Sequence, residues 1–84
     1  MEYELLLGIT AGAMTTGSII PQVAKILQSK SARDVSTLFF IVMAGGMLLW
    51  LIYGVLRSDA IIVLWNAMSL GLSLVILGLK KVYP

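Results

Sequence analysis

The sequence predicts an all-α membrane protein, a single domain over residues 1–84 built as a bundle of three transmembrane helices at about 5–28, 38–56 and 60–79. Three observations carry that expectation. The 84 residues are 60% apolar and only 12% charged, with a mean hydropathy of +1.01, whereas about a quarter of a soluble domain is charged. Three uncharged runs, Leu5 to Ala24, Leu38 to Leu56 and Ala60 to Leu79, each approach or reach the roughly 20 residues that a helix rising about 1.5 Å per residue needs to cross a bilayer. All six Lys and Arg residues lie outside these runs or at span ends.

Composition narrows what such a bundle can do. With no Cys and no His, the chain lacks thiol nucleophiles, imidazole bases and the usual zinc ligands, so neither enzyme chemistry, a cofactor nor a metal site is expected. The helices use most of the chain, leaving short loops and ends, so function is expected within the spans. Ala11-Gly12-Ala13 resembles a signal-peptide cleavage site, but the residues before the first span are acidic (Glu2, Glu4) rather than basic. The first helix is therefore expected to persist in the mature protein. Lys25, Lys30, Arg33, Lys80 and Lys81 lie at one membrane face and Arg57 alone at the other. The positive-inside rule then places the N-terminus outside and the C-terminus in the cytoplasm, in a multi-pass protein of the cell's inner (plasma) membrane. A net charge of +2 suits anchoring to anionic lipid. No basic patch suited to nucleic acid is present.

In the first helix, Pro21 removes one backbone hydrogen bond and kinks the chain, making it a candidate hinge. A tolerated kink without function is the plain alternative. Gln22 adds weight to the hinge, because an amide at that depth needs a partner and shares a helix face with Thr15 and Ser18, both candidate pocket-lining residues. Taken singly, Thr15, Thr16 and Ser18 are each expected to bond back to their own helix carbonyls. Gly8 and Gly12 form a small-xxx-small pair suited to close helix approach.

In the second helix, Met43, Gly46, Trp50, Tyr53, Gly54 and Arg57 fall within an arc of roughly 100°. Such a stripe either packs against another helix or lines a path. Trp50 lies about three residues, roughly 4.5 Å, outward of the span's midpoint, too deep for an interfacial aromatic belt.

In the third helix, Asn66, Ser69 and Ser73 share a face. An unsatisfied amide in hydrocarbon costs several kcal/mol, so Asn66 must face protein or a wet cavity. It is expected almost level with Trp50. A flat ring to stack on C–H surface and a neutral amide to exchange hydrogen bonds with hydroxyls are the two tools for holding a sugar. The competing reading of Asn66 is an interhelical hydrogen bond worth about 1 kcal/mol that only joins helices. Trp65 points elsewhere, toward lipid or packing. At the outer turn, Arg57 and Asp59 either form an ion pair that opens and closes or are simply solvated. Three helices are too few to enclose a sugar-sized cavity, and a second copy related by a two-fold axis along the membrane normal would complete the wall.

Pro21-Gln22, the segment Lys30-Ser31-Ala32-Arg33-Asp34-Val35-Ser36, Trp50-Leu51-Ile52-Tyr53-Gly54, Arg57-Ser58-Asp59 and Asn66 together resemble the bacterial SemiSWEET sugar transporters of the PQ-loop superfamily. The resemblance spans nearly the whole chain. It implies a parallel homodimer completing a six-helix transporter, with sugar as substrate and Trp50 and Asn66 of both copies framing the pocket. It further implies an extracellular gate of Tyr53, Arg57 and Asp59, a hinge at Pro21 and Gln22, and an intracellular gate for which Met43, Phe39 and Phe40 are the candidates. Gly46, on the same stripe as Met43, joins Thr15 and Ser18 as a candidate lining residue. Between their charged ends the spans hold no Asp, Glu, Lys, Arg or His, so coupling to protons or sodium is not expected. The expected function is facilitated diffusion of mono- or disaccharides by alternating access. The alternatives are transport of another small neutral metabolite and a non-transporting structural subunit.

Overall fold

The computed structural model describes residues 2–84, and the side chain of Glu2, counted above as part of the acidic head, lies outside what it describes. The chain forms α1 (Glu2–Gly17), α2 (Ile19–Ser29), α3 (Thr37–Leu56) and α4 (Ala60–Val82). Three spans long and apolar enough to cross a membrane result: Tyr3–Ser29, Thr37–Leu56 and Ala60–Val82.

The first span differs from the expected single helix over 5–28, because it divides at Ser18. Pro21 explains the position. It has no N–H to offer the carbonyl of Gly17, four residues back, and its ring crowds that carbonyl, so the hydrogen-bond ladder fails just there. Ser18 keeps right-handed helical torsions (φ −65, ψ −18) and donates its N–H to Met14 O at 3.1 Å. The break is thus a bend, not a loop. The third span continues past the expected end at 79 to Val82 and takes Lys80 and Lys81 into its last turn, where cations suit the negative end of the helix dipole.

Short connections fix the order of the spans. Ser36 caps α3 by accepting from Phe39 N at 3.0 Å, and Asp59 caps α4 by accepting from Ile61 N and Ile62 N, both at 3.1 Å. Between them the α3 C-terminus closes with two paired backbone bonds, Ser58 N to Val55 O and Asp59 N to Gly54 O, with Ser58 in the left-handed region at φ 53. This is the Schellman arrangement, which usually puts glycine where Ser58 stands. The 30–36 loop docks on the far end of α4: Ala32 N donates to Tyr83 O, and Lys80 Nζ donates to Ala32 O, each at 2.8 Å.

Across the bundle, α4 lies in the middle, with its backbone close to those of α1, α2 and α3, whereas among the described elements the backbone of α3 comes close only to that of α4 and reaches α2 through side chains. Gly8 faces Ile61, Gly12 faces Trp65, and Thr16 bonds to Ser69. Each step of four residues on α1 meets a step of four on α4, so the two helices run parallel and in register. Glycine makes this approach close enough that a methyl group on Gly12 would overlap the indole of Trp65. Gly54 does the same for the α3–α4 hairpin, where an added Cβ would lie 2.7 Å from Ile62 Cγ2. The buried apolar cluster, which includes Ile19, Ile26, Phe40, Met47 and Ile76, gathers where α2, α3 and α4 meet. Long apolar side chains such as Leu6, Leu38, Leu49 and Leu56 point outward, as they must when lipid is the solvent.

Candidate functional site

The backbone traces a slab of 44 × 21 × 14 Å. Its long dimension matches a bilayer with headgroups, about 40–45 Å, and its short one is little more than one helix thick. A groove of about 650 Å³ runs along it between the first and second spans, open on one side. Thr15 from α1, Ser18 from the bend, Gln22 from α2, Phe39, Phe40, Met43, Gly46 and Trp50 from α3, and Asn66 from α4 all line it. The three residues assigned to one face of the first helix and the inward part of the α3 stripe therefore converge on one space.

Register explains why Trp50 and Asn66 meet. In the antiparallel α3–α4 hairpin Gly54 abuts Ile62, and Met47 receives the Ser73 Oγ hydrogen bond at 3.4 Å. Interpolating between these two contacts puts Trp50 and Leu51 level with Asn66 to Ser69. Trp50 is half exposed toward the groove and sets its ring edge-on to Tyr53, with centroids 5.5 Å apart at 88°.

Hydrogen-bond bookkeeping shows what the polar lining can still offer. Thr15 Oγ1 donates to its own helix at Ala11 O (3.1 Å) and Gly12 O (3.3 Å), and Ser18 Oγ donates to Thr15 O at 2.6 Å. Both behave as expected, and both keep oxygen lone pairs as acceptors. Asn66 Nδ2 donates to Ile62 O at 2.9 Å, so one amide proton satisfies its own helix. The second amide proton and Oδ1 are left for the groove. Asn66 makes no interhelical side-chain bond among the described residues.

Thr16 departs from expectation. Rather than bonding back to its own helix, it is 2% exposed and pairs with Ser69 at 2.6 Å, with a longer bond to Trp65 O at 3.5 Å. The reason is the glycine-lined approach one turn away, which brings α4 within reach of Thr16 before a local carbonyl competes. Sequence reading also passed over Ser69, Met47 and Ile19 as groove lining. Ser69 carried a signal, since it shares the Asn66 face, but a hydroxyl there served packing equally well. Trp65 is a packing residue, and its buried Nε1 has no hydrogen-bond partner among the described residues.

Four candidates, Pro21, Tyr53, Arg57 and Asp59, lie off the groove. Tyr53 borders a shallower recess of about 490 Å³ with Gly46, Leu49 and Trp50. Gly54 belongs to helix packing rather than to a path. Asp59 directs Oδ1 to the α4 cap, and no ion pair joins it to Arg57 among the described residues. Pro21 is exposed. Phe40 is both core and lining, only 5% exposed, while Phe39 and Met43 are open to the groove. Among the described residues no group of three or more acidic, His or Cys side chains is placed to hold a metal ion.

Residues 4–63 match the PQ loop repeat family. The chain belongs to that family. Within it the similarity is to SemiSWEET proteins. A protein of Bradyrhizobium diazoefficiens named "Sugar transporter SemiSWEET" is 44% identical over 93% of this chain and 91% of its own. One of the same name from Leptospira biflexa is 40% identical over 92% and 91%. Both are named as transporters, not enzymes. A crystal structure described as a bacterial homologue of SWEET transporters superposes with a TM-score of 0.90 at 49% identity, covering 94% of this chain and 95% of that one.

Proposed function

We propose that this PQ-loop protein carries a neutral sugar, a mono- or disaccharide, across the membrane as a parallel homodimer working by alternating access. The observation that supports this best is the convergence of Trp50 and Asn66 on one groove whose lining contains no charged side chain. Its size falls in the range of small-molecule sites, about 300–1,000 Å³, and its open side calls for a second copy to close it. The names of the SemiSWEET relatives point to the same substrate class.

In this reading Trp50 stacks on the sugar ring, and Asn66 exchanges hydrogen bonds with its hydroxyls, aided by acceptors on Thr15 and Ser18. Gln22 and Pro21 supply the hinge. Outward of the bend, α1 is fastened to α4 through Gly12 and Thr16, so α2 is the half that moves. Met43 and Phe39 close the inner end, with the better buried Phe40 as their backing. Tyr53, Arg57 and Asp59 close the outer end, the ion pair forming between copies rather than within one. Without a titratable group in the groove there is nothing to couple flux to protons, and the protein is a uniporter. Its N-terminus faces outward and its C-terminus the cytoplasm, in the inner membrane.

The test is uptake of radiolabelled glucose and sucrose into proteoliposomes with no ion gradient, for wild type and Asn66→Ala. Two hydrogen bonds from Asn66 at about 1 kcal/mol each predict a loss of apparent affinity of roughly 30-fold, with dimer assembly unchanged by native mass spectrometry. Unchanged saturable uptake in the variant would remove Asn66 from the pocket. Loss of assembly instead of uptake would favour a structural subunit.

A further inference from the structure

The geometry points to a second site: a preformed pocket for the phosphodiester headgroup of an anionic phospholipid, at the end of the bundle where α2 meets the 30–36 loop. It rests on the chain being embedded in a bilayer and not on the sugar assignment. A cavity of about 630 Å³ lies there, lined by Lys25 and Ser29 of α2 and by Ser31, Arg33 and Asp34 of the loop, over an apolar floor.

Three features make this more than a solvated charge cluster. The loop wall is rigid. Ala32, only 1% exposed, is pinned to the end of α4 by hydrogen bonds to Tyr83 O and from Lys80 Nζ, and Ser29 Oγ to Ser31 O (3.3 Å) and Arg33 N to Ser31 Oγ (3.3 Å) brace the turn. Lys25 and Arg33 are thus presented from two walls before any ligand arrives, which lowers the ordering cost of binding. The charge balance favours an anion: two cations face a single carboxylate, and among the described residues neither cation has an ion-pair partner, whereas Lys80 is committed to the Ala32 carbonyl. Finally, the depth is right. A 44 Å bundle extends beyond a hydrocarbon core of about 30 Å, so its end lies in the headgroup layer, where basic pockets between spans select anionic lipid.

A lipid rather than a soluble phosphate is favoured because the cavity is far larger than a phosphate ion and lies on α2, whose exposed Ile20 and Leu27 side chains offer acyl chains an apolar surface. Zwitterionic lipids would bring an ammonium group back against Lys25 and Arg33. Gln22 lines both this pocket and the central groove. A lipid held here would therefore bear on α2, the inner half of the bent span, and link transport rate to membrane composition.

Native mass spectrometry of the detergent-solubilised full chain, titrated with phosphatidylglycerol, phosphatidylcholine or glycerol 3-phosphate, tests the proposal. At about fivefold per cation, Lys25→Gln with Arg33→Gln should weaken phosphatidylglycerol binding about 30-fold. The charge-matched pair Lys30→Asn and Lys81→Gln, outside the pocket, should leave it within about twofold. Asp34→Asn should tighten it, a gain that a misfolded variant cannot mimic. Equal losses in both double variants, or equal binding of phosphatidylcholine, would overturn the site. Glycerol 3-phosphate binding as tightly as the lipid would overturn the lipid assignment.

Discussion

Placing a methyl group on Gly12 tests the packing on which the site depends. Its Cβ would overlap the Trp65 indole, a rigid ring wedged between α1 and α4, so either the ring or the helix must move. Overpacking of this kind costs about 1–3 kcal/mol, against about 1 kcal/mol returned by alanine's better helix propensity. The damage should extend to the Thr16–Ser69 bond one turn on, since it shares the same register. Gly45 and Gly46 supply controls, because a Cβ on either meets nothing within 4 Å. The structure therefore predicts three different outcomes from one chemical change. Gly12→Ala, whose overlap with a rigid ring puts it at the upper end of that cost, about 3 kcal/mol, lowers stability by about 2 kcal/mol net. Gly45→Ala, pointing away from the groove, leaves both stability and transport at or above wild type. Gly46→Ala leaves protomer stability intact but narrows the groove beside Trp50 and reduces sugar flux. Unfolding of the purified protein in mixed micelles, followed by Trp fluorescence, reads the first quantity, and counterflow in proteoliposomes reads the second. Trimming the ring with Trp65→Val should restore Gly12→Ala relative to Trp65→Val alone. If Gly12→Ala unfolds like wild type, the close α1–α4 approach is wrong, and with it the order of the spans.

Thr16→Val removes the buried interspan hydrogen bond while keeping shape, and strands Ser69 Oγ. The expected loss is about 1 kcal/mol, and a cycle with Ser69→Ala should recover most of it as coupling energy. Ser58→Gly relieves a left-handed residue in a turn whose other hydrogen bonds are already made, and should raise stability by about 1 kcal/mol in the same unfolding assay. Asp59 caps α4, and the proposed gate gives its charge a second, separable role. Asp59→Asn keeps a capping oxygen and should unfold like wild type while altering the rate of outer-gate opening in counterflow, whereas Asp59→Ala should lose about 1 kcal/mol as well.

The spans were legible because bilayer thickness imposes a length that uncharged runs of residues either meet or do not. Polar faces were legible too, since an amide or hydroxyl in hydrocarbon must turn toward something wet or proteinaceous, and helical periodicity then says which residues turn together. That is how Thr15, Ser18 and Gln22 could be placed on one wall and Asn66 level with Trp50. Sequence pattern did not reveal who would be whose neighbour. Nothing in the apolar composition of the third span distinguishes a central helix from an edge one, because lipid and protein interior favour the same side chains. Thr16 was misread for that reason: its own carbonyls are always within reach, and only knowledge that Gly12 brings α4 close would favour Ser69. The bend fell at Ser18 rather than at Pro21 because proline disrupts the carbonyl four residues earlier, not its own position.

Placing α4 at the centre makes one face of one helix responsible for both holding the protomer together and serving its groove. Ser69 ties it to α1 and Ser73 to α3, while Asn66 between the first and second spans keeps hydrogen-bonding capacity for a ligand. A chain with so few spans has no spare helix to divide these tasks. The consequence is that α1, locked through Gly12 and Thr16, cannot follow a change of the groove's shape without breaking bonds, whereas α2 beyond the bend is held mainly by apolar contacts of Ile19 and Ile26. Apolar contacts are non-directional and tolerate sliding in a way that a 2.6 Å hydroxyl pair does not. Motion that opens one end of the groove should therefore be concentrated at Ser18 and in α2 beyond it, with α1 and α4 moving as one body.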